Sequence, residues 1–180
     1  MKTLYFVSFT GISFMSRVIR FFTRSMGTSH IAVLDTKKNK LIEAWGPTLR
    51  QTKWRWSDYS KHTPGTKYEV WGLSVPDDVY AHCMGVYHRW ADNGHAYDWL
   101  SVMAFVFRWR RENPNGDCCS EGAIRPLAEA MEWGRINPAF VSPADFVALI
   151  QAAGGRIVTE GIVGKAEISR PGKDEEHEKN

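Results

Sequence analysis

Residues 29–46, "SHIAVLD-TKKN-KLIEAWG", constrain the fold more than any other stretch. Two β-forming apolar runs flank a short polar turn, which is the pattern of a hairpin, and a hairpin commits the chain to an antiparallel sheet. The hairpin also fixes which side chains are neighbours, because successive residues of a strand point to opposite faces. If opposed residue numbers add to an odd value, His30 and Glu43 share a face as direct or diagonal partners, ~5–8 Å apart at Cβ. An even register sends Glu43 to the other side.

The rest of the chain supplies partners for that hairpin. "TLYFVSF" (3–9) and "KYEVWGLSV" (67–75) are predicted strands, and "RIVTEGIV" (156–163) is a last one. Phe14, Val18, Phe21 and Phe22 recur at helical spacing within 13–25. Pro76-Asp77-Asp78 opens a helix to about Ala91, with acids at its positive end. "YDWLSVMAFVFRW" (97–109) reads as a buried helix, another begins near Cys119, and "SPADFVALIQAAGG" carries helix start and stop signals at its two ends. Residues 50–66, with Pro64 and Gly65, read as a long loop. Strand pairs and helices are grouped, so the expected class is α+β, a small antiparallel sheet packed against helices. The expected organisation is one domain over 1–169 and a charged, disordered tail over 170–180.

Composition narrows the function classes. The 180 residues include 43% hydrophobic positions, enough for a core. The net charge of +3 is mild, and no nucleic-acid motif accompanies the basic runs at 16–25 and 108–112, so no nucleic-acid partner is expected. Three Cys make an odd, small count that argues against a disulfide framework and suits a reducing, cytoplasmic setting. Polar Ser8, Thr10 and Ser13 interrupt the apolar start, which speaks against a signal peptide. No C-x-x-C or H-x-x-x-H pair stands at zinc spacing, so neither a metal nor another cofactor is expected.

The remaining chemistry lies in "GDCCSE" (116–121). A thiol at a helix start gains from unpaired N–H groups and the helix dipole, which favour the thiolate; the same N–H groups, those of Cys119 and Ser120, suit an oxyanion. Two small buried hydrophobes are the plain alternative. Among six His, only His30 sits inside a short apolar strand, where it serves either as a hydrogen-bonded core residue or as a rigidly held base. Glu43, between Ile42 and Ala44, either orients that imidazole or is a surface carboxylate of an edge strand.

Taken in order, "TSHIAVLD", "LIEAWGP", "YDWLSVMAF", "CCSEGAIRPLAEA" and "SPADFVALIQAAGG" resemble the circularly permuted, YiiX-like branch of the NlpC-type papain-like cysteine hydrolases. There the strand His precedes the helix Cys. The resemblance implies a permuted papain-like fold and a thiol hydrolase of the amidase or peptidase type. Cys119 would be its nucleophile, His30 its base and Glu43 its third member, acting through a thioester. Cys118 takes a slot that is more often aromatic. The implied substrate is a small peptide, a cell-wall fragment or an acyl group. Trp45, Trp54, Trp56 and Tyr97 would line its groove, with the Cys119 helix packed on the face that carries His30 and Glu43. A lipid-directed acyltransferase or thioesterase whose basic helix touches membrane, and a binding module without catalysis, are the alternatives on the same fold.

Overall fold

Residues 2–10 alternate so that Leu4 and Phe6 face one way and Val7 and Phe9 the other, and all four are buried. A strand covered on both faces belongs at the centre of a sheet. In the computed structural model, which describes residues 1–22, 27–45, 51–98 and 116–165, this strand is β1 (Lys2–Thr10). Around it stand β2 (His30–Asp35), β3 (Lys40–Trp45), β4 (Lys53–Ser57), β5 (Lys67–Val75) and β6 (Arg156–Ile162). The order is β4-β3-β2-β1-β5-β6, with every pairing antiparallel. The helices are α1 (Phe14–Phe22), α2 (Asp77–Asn93), α3 (Cys119–Ala130) and α4 (Pro143–Ala152). Of the helix expected over 97–109, Tyr97 and Asp98 are described and are not helical; the rest of it, the basic run at 108–112 and the tail from 170 lie outside the described residues.

The expected long loop over 50–66 is corrected. Residues 53–57 form edge strand β4, and 59–61 form a short 3-10 turn capped by the Asp58 carboxylate. Lys, Trp and Arg alternate there, and the polar positions obscured the strand because an edge strand buries little of its outer side. The turn between β2 and β3 is closed by Asp35, whose Oδ1 accepts from the backbone N–H of Lys37 and Lys38 at 2.8 and 3.0 Å.

Two cores sandwich the sheet. On one face Leu4, Phe6, Ile31, Val33, Ile42 and Ala44 meet α2, α3 and α4, with Phe146 set edge-on against Phe6 at 5.1 Å. On the other, a smaller cluster of Phe9, Ala32, Leu34, Leu41, Tyr68, Val70 and Val163 is joined by Tyr59. Helix α3 therefore packs behind Ile31 and Ile42, on the face opposite to the one expected. The alternation that puts His30 and Glu43 together also puts them on the side away from α3.

Trp54 locks α3 in place. It is fully buried, its Nε1 donates to the Asp117 carbonyl at 3.3 Å, and its ring lies flush against Gly122. A Cβ at position 122 would overlap that ring. Gly122→Ala is expected to lower stability by about 1–3 kcal/mol, the usual cost of overpacking. The urea midpoint would report it, and an unchanged midpoint would mean that the indole moves aside freely.

Candidate functional site

The β2–β3 ladder pairs Val33–Asp35 with Lys40–Ile42 and goes no further. Continued, it would set His30 opposite Trp45. Instead the strands part, β2 staying with β1 through Phe9–His30 and β3 with β4 through Glu43–Arg55. The sulfur of Cys119 reaches this opening from the start of α3. There it lies beside the His30 side chain and the backbone N–H groups of Ile31 and Ser120, which lower its pKa. The site thus lies where the two faces of the sheet meet, which is how a helix on one face reaches a histidine on the other.

Each side chain is fixed by its surroundings. His30 Nε2 donates to Glu43 Oε2 at 2.7 Å, which leaves Nδ1 for Cys119. Glu43 is wholly buried and also accepts from a second imidazole, His62 Nε2, at 3.2 Å to Oε1 and 3.1 Å to Oε2. His62 stacks on Phe9 with ring centroids 3.7 Å apart and planes 13° from parallel. Tyr97 and Cys119 line the same cavity. His62 was not singled out from the sequence, because it lies in a polar segment without period; only the fold brings it beside Glu43.

The electrostatics follow from burial against pairing. Burial pushes the Cys119 thiol up, but the hydrogen bond and charge of His30, with the two backbone N–H groups, outweigh it and bring the thiol below its ordinary value. Burial disfavours charged His30, yet its bonds to Cys119 and Glu43 raise it to about 10. Burial works against an ionised Glu43, but the two imidazoles bring it down to about 2. The pairing with His30 thus favours the thiolate of Cys119 over what burial alone would allow, with the Glu43 carboxylate behind the ring. The other two thiols differ. Burial raises Cys83 to about 12, and burial with the neighbouring Cys119 and Glu121 charges drives Cys118 well up. Cys118 is the N-cap of α3 and shares a capping box with Glu121, whose Oε2 accepts the Cys118 N–H at 3.3 Å.

Behind the thiol, a second polar network fixes the approach to α3. Asp117 accepts from His95 at 2.8 Å and from Arg125 at 2.6 Å, and Arg125 also donates to Glu121 at 2.6 Å. His95 stacks on Trp90 at 4.4 Å. Burial and the Asp117 charge raise Glu121 to about 7.

In front of the thiol lies a cavity of about 350 Å³. Its wall includes Cys119, His30, Glu43, His62, Trp45 and Tyr97, and hydroxyls of Ser13, Ser16, Ser29, Thr52, Thr63 and Thr66, with Lys61 as a cation. Of the four aromatics expected in a groove, Trp45 and Tyr97 are there. The expectation for Trp54 and Trp56 is corrected. Trp54 is core, and Trp56 donates to Asp92 at 2.7 Å under the Lys38 ammonium, 4.0 Å from its ring. Strand alternation turns both away from the cavity.

No family model and no curated protein matches the chain. Among solved structures it resembles that of yiiX from Escherichia coli O157:H7, which is described as a metalloprotein. The identity is 20% and the TM-score 0.51, over 73% of this chain and 67% of that one. The likeness establishes a mixed α+β fold with an antiparallel sheet packed by helices. It overturns the assignment to the NlpC-type papain-like cysteine hydrolases: the matching structure is of a metalloprotein, and the motifs that suggested a hydrolase are short. The readings that rested on that assignment go with it, namely amidase, cysteine peptidase or thiol protease acting through a thioester, and the lipid-directed variant.

A metal does not fit the residues at hand either. Among the described residues no three His, Cys, Asp or Glu side chains are grouped to take one. At the cavity, both Glu43 oxygens are engaged by imidazole N–H groups, and His30 is a cation without a free lone pair.

The carboxylate leaves a pH signature. An unfolded Glu titrates near 4.5 and Glu43 near 2, so its stabilisation is complete above about 4.5 and drains away as pH falls toward 2. Native protein should therefore lose stability between pH 5 and about 2.5 more steeply than Glu43→Gln, as read from urea midpoints against pH. Parallel curves would show that Glu43 is not the group responsible.

Proposed function

We propose that the cavity is a binding site for a small polar ligand with an electrophilic carbon, which the Cys119 thiolate captures covalently. The observation that carries this is Cys119 and His30 side by side at the wall of a hydroxyl-lined cavity, with the thiol held below its ordinary value by the histidine. A thiolate is the nucleophilic form of cysteine, and the hydrogen bond and charge of His30 lower the Cys119 thiol toward it. In the capture step the sulfur lone pair forms an S–C bond. The electron pair of the attacked double bond moves to the ligand's far atom, and that atom takes the proton of His30. Glu43 keeps the ring aimed. Serine and threonine hydroxyls and Lys61 give the wall hydrogen-bonding capacity suited to a polar, oxygen-bearing ligand.

A finer architectural reading belongs to the same proposal. Along the chain the order is His30, Glu43, Cys119, strand histidine before helix cysteine, as a permuted papain-like arrangement would have it. This concerns the path of the chain and carries no activity.

Limited alkylation with iodoacetamide tests the site. Near neutral pH, peptide mapping should find Cys119 labelled at least tenfold faster than Cys83 and Cys118, and His30→Ala should abolish the difference. Equal labelling of the three thiols, or preference for Cys118, would sink the proposal.

A further inference from the structure

Three polar side chains converge on Cys119 through one carboxylate, and the outermost has no part in the chemistry described so far. We infer that His62 is a positioning residue: its imidazole, stacked on Phe9, pins the Glu43 carboxylate so that Glu43 keeps the His30 ring turned toward Cys119. The inference rests on the thiolate reading given above.

The geometry supports this at each link. Glu43 has two oxygens and a side chain with free torsions. One N–H, from His30 to Oε2 at 2.7 Å, fixes one oxygen and leaves the carboxylate plane free to swing about that bond. The His62 Nε2–H, shared between Oε1 at 3.2 Å and Oε2 at 3.1 Å, removes that freedom. Both contacts are to carboxylate oxygens, so Nε2 bears the proton. His62 itself is fixed by its ring face. It lies 3.7 Å from the Phe9 centroid, nearly parallel, and Phe9 is a fully buried residue of the central strand. The positional order of β1 is thereby passed to a carboxylate two strands away. His62 follows directly on the 3-10 turn Tyr59–Lys61, and its backbone N–H closes that turn on the Tyr59 carbonyl at 3.1 Å. The turn expected to be loop is what delivers the ring.

Other ionisable groups around His62 do not confuse the reading. They are Glu43 and His30 on the neighbouring strands, and Asp58, Tyr59 and Lys61 on its own segment. Burial, with the Tyr68 and Glu43 charges, pushes Tyr59 far above neutrality. The hydrogen bonds to Ser60 keep Asp58 low. Loss of the pin would let Glu43 drift, weaken the imidazolium and raise the thiol.

The pH profile of Cys119 alkylation decides the matter, measured in full-length protein with iodoacetamide as probe. His62→Leu keeps apolar bulk against Phe9 and removes the N–H; His62→Gln keeps an N–H donor. The leucine variant should raise the apparent thiol pKa by about one unit, tenfold less thiolate at a given pH below it, and the glutamine variant should restore most of the native profile. A leucine profile superposed on the native one overturns the inference, as do equal shifts in both variants. If the leucine variant does not fold, glutamine alone decides. Superposition on the native profile supports the role, and a shift as large as that of Glu43→Gln overturns it. A native profile with the pKa of an ordinary thiol would instead refute the thiolate site itself.

Discussion

The parting of β2 from β3 at His30 and Glu43 is the constraint on which the site depends. A continuous ladder would have set Ile31 opposite Ala44 and closed the way between the faces of the sheet. Because the ladder stops, the start of a helix packed on one face lies beside a histidine that points to the other.

The opening in turn requires rigidity around it. β1 supplies Phe9 on one side of the gap, and the Asp117–Arg125–Glu121 network steadies the start of α3 on the other. The polar groups are compensated in a chain: Cys119 lies beside His30, the His30 imidazole meets the Glu43 carboxylate, and the carboxylate takes a second N–H from His62. Removing a middle member strands its neighbour in a low-dielectric setting, which costs more than the pair itself is worth.

Much of this was legible in residues 29–46. Alternation and the polar turn are local signals, and they gave both strands; whether His30 and Glu43 share a face hung on the register alone, and the observed pairing of Val33 with Ile42 has the odd parity that unites them. Strands β1, β5 and β6 and helices α2 and α4 were equally plain, because burial and capping are written into their own sequences. Three things were not. β4 lacks an apolar run because its outer side is an edge. The face on which α3 packs depends on where a ladder ends, which no residue in α3 encodes. His62 becomes Glu43's partner only through tertiary stacking. The hydrolase assignment failed for another reason: short motifs in the right order report a path of the chain, and chemistry does not follow from path.

The contact of Trp54 with Gly122 ties the thiol to a distant edge of the sheet. Trp54 belongs to β4, the outermost strand on that side, and Gly122 lies one turn after Cys119. The indole acts as a gauge block: the spacing between strand and helix is one ring thick, with no side chain to take up slack. Sliding α3 along its axis, which would retune the distance from sulfur to imidazole, requires positions 54 and 122 to change together. Diversification of this pocket is thereby steered toward its hydroxyl-bearing wall, where single replacements alter what is bound without disturbing the geometry of the sulfur.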